Sequence, residues 1–124
     1  MEISQFASRL FEARDTLHIY HLKSKSYSEH KALASLYEDI LEFADDFIES
    51  YIGFTGEFKF DSITIQESSL TNPIFFIEDL ISETLMAAKD ELAADMTTYG
   101  WLVNMIEDMI AKCYHTIYKL KFLK

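Results

Sequence analysis

Two histidines and two carboxylates stand at spacings that suit a shared metal ion. His18 and His30 lie on either side of a short polar segment, residues 24–26, so a helical hairpin that turns there would bring the imidazoles toward each other. Asp45 and Glu49 are four residues apart, which places both carboxylates on one face of a helix, one turn apart. The two carboxylates suit a shared cation, and the two imidazoles could form the other half of the same site. These four residues are the candidate metal ligands.

The spacing between the two halves of this candidate site decides where the site can form. Asp45 lies fifteen residues beyond His30, and at about 1.5 Å per residue one continuous helix would separate them by roughly 22 Å. Residues so far apart cannot bind one ion within one chain. A second copy that packs its hairpin antiparallel about a two-fold axis would complete two equivalent mixed sites. The spacing therefore predicts a homo-oligomer with intersubunit sites.

The apolar pattern predicts the helices that position these residues. Apolar side chains recur every three or four residues from Ile3 to about Lys23, which is typical of an amphipathic helix, helix A. Ser26 and Glu29 have the spacing of a capping box, so helix B is predicted to begin near Tyr27. Gly53 can adopt the left-handed backbone conformation that ends a helix, and it is the predicted end of helix B.

The second half of the chain predicts another helix pair. Residues 58–60 and 63–65 alternate like short strands, but two such fragments are too little for a sheet, and this stretch is interpreted as a long crossover. Asn72-Pro73 is a favoured start for helix C, residues 97–100 are the predicted turn, and helix D follows. The sequence thus predicts one all-α domain, residues 1–124, with a ferritin-like four-helix bundle and one long crossover between helices B and C.

The residues of helices A and B resemble a known family. Residues 18–30, followed by Leu36-Tyr37, Ile40, Asp45 and Glu49, are similar to the Dps miniferritins of the ferritin-like superfamily over about thirty residues. Ala34 stands where that family has an aspartate. The resemblance implies that His18 and His30 of one subunit, with Asp45 and Glu49 of another, bind iron (Fe2+/Fe3+) and oxidise Fe(II) with peroxide or dioxygen. It also implies iron sequestration in a dodecameric shell built from two-fold dimers.

The composition argues against several other classes of protein. Among 124 residues, 11 are basic and 21 acidic, a formal net charge of −10, so direct binding to DNA should be weak or absent. The single cysteine, Cys113, excludes an internal disulfide and any multi-thiolate zinc site, and its place on the apolar side of helix D predicts a packing role. No apolar run reaches the ~18 residues of a membrane span, so we expect a cytoplasmic protein with no membrane partner.

The same residues are also compatible with two other functions. A non-enzymatic ferritin-like assembly or interaction protein with a degenerate metal site would keep the bundle and the dimer interface without oxidising iron. A site within one chain, formed by His18, His21 and His30, would bind zinc or nickel and need no dimer. A lone histidine on a helix is more often structural than a ligand, and we expect this of His21 and His115.

Overall fold

The computed structural model describes residues 1–67 and 71–123, and these residues contain five α-helices and no β-strand. A π-helical segment, Leu80–Leu85, joins the third and fourth helices into one rod. No helix in the described part of the chain is long and apolar enough to cross a membrane. The predicted all-α class is confirmed, with helices α1 (Ile3–Lys23), α2 (Tyr27–Thr55), α3 (Pro73–Asp79), α4 (Met86–Ala93) and α5 (Met96–Phe122).

Helix α2 begins where the sequence predicts, and its capping glycine lies three residues later than predicted. Ser26 Oγ accepts a hydrogen bond from the Glu29 amide at 3.3 Å, while the Ser26 amide donates to Ser24 Oγ at 3.3 Å. In a capping box the Ser26 amide would donate to the side chain of Glu29; here it donates to the hydroxyl of Ser24 instead. The prediction that Gly53 ends the helix is wrong, because Gly56 is the residue with the left-handed backbone (φ 88°) and its amide closes the last turn.

The starts of α3 and α5 depend on side-chain caps. Asn72 Oδ1 accepts from the Ile74 amide at 2.8 Å, and proline follows at the first helical position, as predicted. The predicted turn at residues 97–100 is wrong, since these residues lie within α5 and the turn falls at residues 94–95. Asp95 Oδ1 accepts from the Thr98 amide at 3.2 Å, so the carboxylate satisfies a free amide and starts the helix earlier.

Four helical rods surround one apolar core. Helix α1 packs against α2 and the π-helical segment, and α5 packs against α2 and α4. At one end of the core, the ring of Phe6 meets the rings of Phe47 and Phe43 edge-on, with centroids 5.1 and 6.2 Å apart. The amino group of Met1 lies 3.9 Å from Glu91 Oε2, so the start of α1 is beside the end of α4. The rod formed by α3 and α4 therefore runs antiparallel to α1.

The described residues between α2 and α3, 56–67 and 71–72, are irregular and lie alongside α1. Ser8 Oγ accepts from the Asp61 amide and donates to the Asp61 carbonyl oxygen, both at 2.9 Å. Farther on, Glu12 Oε2 accepts from the Thr64 amide at 2.7 Å. Near the end of α1, the Tyr20 hydroxyl accepts from the Thr71 amide at 3.1 Å. These bonds occur in the same order along both segments, so the connection runs alongside α1 from its start toward its end.

Ser8 is the buried anchor of this connection, and Ser8→Ala should weaken it. We expect a loss of about 1 kcal/mol in the free energy of unfolding, because the substitution removes the hydroxyl that bonds both backbone groups of Asp61. Urea denaturation measures the loss, and hydrogen exchange should be faster at the Asp61 amide. The exposed Ser82→Ala is the matched control, with an expected change within about 0.5 kcal/mol. Equal changes in both variants would contradict the anchor.

Candidate metal site at the helical hairpin

His21 and His30 face each other where α1 and α2 meet at the hairpin turn. His21 Nδ1 lies 2.7 Å from the carbonyl oxygen of His30, and His30 Nδ1 lies 2.9 Å from the carbonyl oxygen of His21. The two rings are stacked, with centroids 3.6 Å apart and planes inclined by 23°. A carbonyl oxygen only accepts, so each Nδ1 carries a proton and donates it. In the neutral rings, both Nε2 atoms therefore keep a free lone pair.

His18 makes different contacts. Its ring stacks on Tyr37, with centroids 4.4 Å apart and planes inclined by 20°. Its Nδ1 lies 3.4 Å from Arg14 Nη1, and a guanidinium only donates, so the Nδ1 of His18 accepts. The same guanidinium lies 5.2 Å from the centre of the Tyr37 ring, a cation–π contact. In the neutral ring of His18 the proton is therefore on Nε2.

The register of the hairpin explains which histidines meet. The turn is centred on Lys25; His21 precedes it by four residues and His30 follows it by five, whereas His18 precedes it by seven. The hairpin therefore places His21 opposite His30. Sequence reasoning set His21 aside as a structural histidine, although its distance from the turn already pointed to this contact.

The carboxylates of the candidate site lie farther along α2. Asp45 and Glu49 are both exposed, and neither forms a hydrogen bond or an ion pair with the residues that the structure describes. Helix α2 is continuous between His30 and these residues, so the estimate of roughly 22 Å between the two halves holds for the folded chain. The structure does not bring the four predicted residues together within one chain.

The remaining potential ligands do not form a metal cluster. Residues 1–67 and 71–123 contain no group of three or more His, Cys, Asp or Glu side chains that could hold a metal ion. A three-histidine site of His18, His21 and His30 is therefore not preformed in this part of the chain. His115 is exposed on α5, with its ring centroid 6.2 Å from that of Tyr118.

Cys113 is buried in the core, as its place on the apolar side of helix D predicted. Burial raises the pKa of its thiol to about 12, with a smaller contribution from the charge of Asp39. The thiol is therefore protonated at neutral pH, and a protonated thiol is neither a nucleophile nor a metal ligand. Cys113 has a packing role.

A family model described as "Family of unknown function (DUF5856)" matches residues 21–120, which include the end of α1, all of α2, α3 and α4, and α5 except its last two residues. The chain belongs to this family. The matched region of this DUF5856 protein contains His21, His30, Asp45 and Glu49, and it begins after His18.

The DUF5856 chain is also similar to a phage protein. An "uncharacterized 14.6 kDa protein in mobD-ri intergenic region" of Enterobacteria phage T4 is 25% identical over 116 residues, which cover 94% of this chain and 85% of the phage protein. No solved structure matches the DUF5856 chain.

Proposed function

We propose that this protein is a Dps-like miniferritin that binds iron, oxidises Fe(II) with peroxide or dioxygen at intersubunit sites, and sequesters the product. The observation that carries the proposal is the division of ligands along α2. His30 offers a free Nε2 lone pair at one end, whereas Asp45 and Glu49, about four and five turns away, are exposed and unpaired with any described residue. Each half lacks what the other supplies, and antiparallel pairing of two α1–α2 hairpins brings them together.

The path of the chain supports a ferritin-like bundle. Two antiparallel pairs, α1 with α2 and the α3–α4 rod with α5, are joined by a connection that hydrogen-bonds along α1 from Ser8 to Tyr20. A ferritin-like bundle has this plan, with one long crossover between its two helix pairs.

The proposed chemistry uses iron as the substrate. His30 of one copy would supply an imidazole nitrogen, and His18 would supply another once its Nδ1 is released from Arg14. Asp45 and Glu49 of a second copy would supply the negative charge that stabilises the ferric product. Two ferrous ions give the two electrons that, with two protons, convert hydrogen peroxide into two water molecules. Four protein ligands leave coordination positions open for the oxidant.

The size of the assembly tests this proposal. Light scattering at micromolar concentration should show a closed shell, a dodecamer by the resemblance, with a mass many times the 14.4 kDa of one chain. Leu41 is 39% exposed and lies one turn before Asp45 on α2, so Leu41→Glu should place a charge in the two-fold interface and give smaller species. The control is Phe75→Glu on α3, where the replaced ring is 63% exposed. A monomeric wild type would overturn the intersubunit site.

A non-enzymatic assembly or interaction protein is the second candidate. The observation that favours it is a row of exposed aromatic rings on α5: Tyr114, Tyr118 and Phe122, spaced four residues apart and therefore on one face. The rings of Tyr118 and Phe122 are in contact, with centroids 5.6 Å apart. Exposed apolar surface of this kind suits packing against another chain. A wild type that assembles but shows no iron-dependent oxidation would favour this second function.

A further inference from the structure

We infer that the two ends of the helical bundle are complementary, and that the hairpin end of one copy docks on the acidic end of a second copy of this chain. The hairpin end comprises residues 21–31 and 117–123, where the turn between α1 and α2 lies beside the end of α5. The acidic end comprises residues 1–4, 52–59 and 90–101. The contact involves no metal and needs no two-fold pairing, so it does not rest on the proposed function.

Contacts between helices hold each end together. At the hairpin end, α2 and α5 border a recess of about 290 Å3, whose lining includes Glu29 and Leu120. At the acidic end, the ring of Phe54 on α2 meets the rings of Tyr99 and Trp101 on α5 edge-on, with centroids 6.1 and 5.9 Å away. Helix α2 has 29 residues, and at about 1.5 Å per residue it separates the two ends by roughly 40 Å. That distance is several Debye lengths at physiological salt, so each end acts as a separate charged surface.

The two ends carry opposite charges. With neutral histidines, the hairpin end carries about +3, because five lysines there outweigh Glu29 and Glu67, the ion-pair partner of Lys23. These lysines are Lys23, Lys25, Lys31, Lys119 and Lys121. The acidic end carries about −3, because five exposed carboxylates outweigh Lys59 and the amino group of Met1. These carboxylates belong to Glu2, Glu57, Asp90, Glu91 and Asp95.

Both ends also expose large apolar side chains. The hairpin end exposes Leu22, Tyr27, Phe122 and Leu123. The acidic end exposes Ile52, Phe54, Met96 and Trp101. Burial of apolar side chains supplies affinity, while opposite charges select the partner and its orientation. Phe122 and Trp101 lie on α5, which takes no part in the proposed pairing of α1–α2 hairpins, so only an end-to-end contact gives these two rings a partner.

The acidic end has a recess that suits a lysine side chain. The recess measures about 390 Å3 and is lined by three glutamates, among them Glu57 and Glu91, and by Lys59. A lysine has an apolar stem and a charged tip, so the stem can lie against apolar surface while the tip pairs with a carboxylate. At the hairpin end, Lys25 and Lys121 are exposed and form no ion pair with any described residue. Their charges are therefore available to a second copy.

Reversing the charge of the hairpin end should break the contact. The variant Lys25→Glu/Lys31→Glu/Lys121→Glu changes this end from about +3 to about −3, so like charges would meet. We expect self-association to weaken by about tenfold or more. Sedimentation velocity measures it in the Leu41→Glu background, which disrupts the proposed two-fold interface and leaves both ends unchanged. Without any end variant, raising the salt concentration from about 0.1 M to about 1 M should weaken the contact, because the Debye length falls from about 10 Å to about 3 Å.

Reversing the charge of the acidic end gives the complementary variant. Glu57→Lys/Asp90→Lys/Glu91→Lys changes this end from about −3 to about +3 and should also weaken self-association by about tenfold or more. An equimolar mixture of the two triple variants pairs opposite charges again, so it should associate although neither variant does so alone. The two variants shift the net charge by equal amounts in opposite directions. An effect of overall charge would therefore weaken one association and strengthen the other.

The control is Glu42→Lys/Asp46→Lys/Asp108→Lys, which adds the same charge as the acidic-end variant midway along the bundle and should not weaken the contact. Circular dichroism checks that every variant is folded. Self-association that is insensitive to salt, or a mixture that does not recover it, would overturn the inference. So would a hairpin end that binds duplex DNA or anionic vesicles and no second copy. The variant Asp45→Asn/Glu49→Gln should keep the end-to-end contact and lose iron oxidation, so failure of the proposed function is seen separately.

Discussion

Co-assembly of two inactive variants should restore iron oxidation. His18→Ala/His30→Ala lacks the imidazoles, and Asp45→Ala/Glu49→Ala lacks the carboxylates, so each variant alone should lose metal-dependent oxidation. Where the two variants pair, one of the two sites at the interface regains all four residues. With random pairing, half of the interfaces are mixed, so about one quarter of wild-type activity should return. Recovery of this kind requires that the ligands come from two chains.

The measurement is the absorbance of the ferric product, followed with and without peroxide after the two variants are unfolded and refolded together. Native mass spectrometry confirms that the assemblies contain both chains. The control is a mixture of the single variant His18→Ala with the double variant His18→Ala/His30→Ala. Every site in this mixture lacks the imidazole of His18, so the mixture should stay inactive. Absence of recovery in assemblies confirmed to be mixed would refute the shared site.

Phe6→Ala should lower the free energy of unfolding by about 3–5 kcal/mol. The ring of Phe6 is fully buried and meets the rings of Phe47 and Phe43 edge-on, so the substitution removes apolar contacts and leaves a cavity between α1 and α2. Single domains are typically stable by only about 5–15 kcal/mol, so this loss is a large part of the total. Urea denaturation at one fixed protein concentration measures it, because assembly makes stability depend on concentration.

The matched control for Phe6→Ala is Phe122→Ala. The side chain of Phe122 is 70% exposed at the end of α5, so the same substitution should change the free energy of unfolding by no more than about 0.5 kcal/mol. Equal losses in the two variants would contradict the assignment of Phe6 to the core.

The sequence by itself was sufficient for the features that depend on local chemistry. The three-and-four spacing of apolar residues predicted an all-α chain and the bounds of α1, because that spacing puts one face of a helix toward the core. Ser26 and Asn72 predicted two helix starts, since a capping side chain bonds amides only two or three residues away. The number of residues between His30 and Asp45 predicted that one continuous helix keeps the carboxylates far from the histidines. The structure confirms that α2 is continuous between these residues.

Only the tertiary structure decided between residues that are equally suited to a role. Gly53 and Gly56 can both end a helix, and the choice of Gly56 depends on where the chain must turn to meet α1. The contact of Ser8 with Asp61 joins residues that are distant in sequence, and no local pattern indicates it. The apolar pattern continues through the π-helical segment between α3 and α4, so it does not indicate that the helix changes its hydrogen-bonding pattern there.

The candidate site shows the same division. Residue types and spacing were enough to predict His18, His30, Asp45 and Glu49 as candidate ligands, because ligand chemistry is a property of the side chain, and this remains a prediction. Which histidine contacts His30 depends on the register of the hairpin, and which ring nitrogen is free depends on the group that faces Nδ1: a carbonyl oxygen for His21, the guanidinium of Arg14 for His18. Both are properties of two helices packed together, so the folded chain alone decided them.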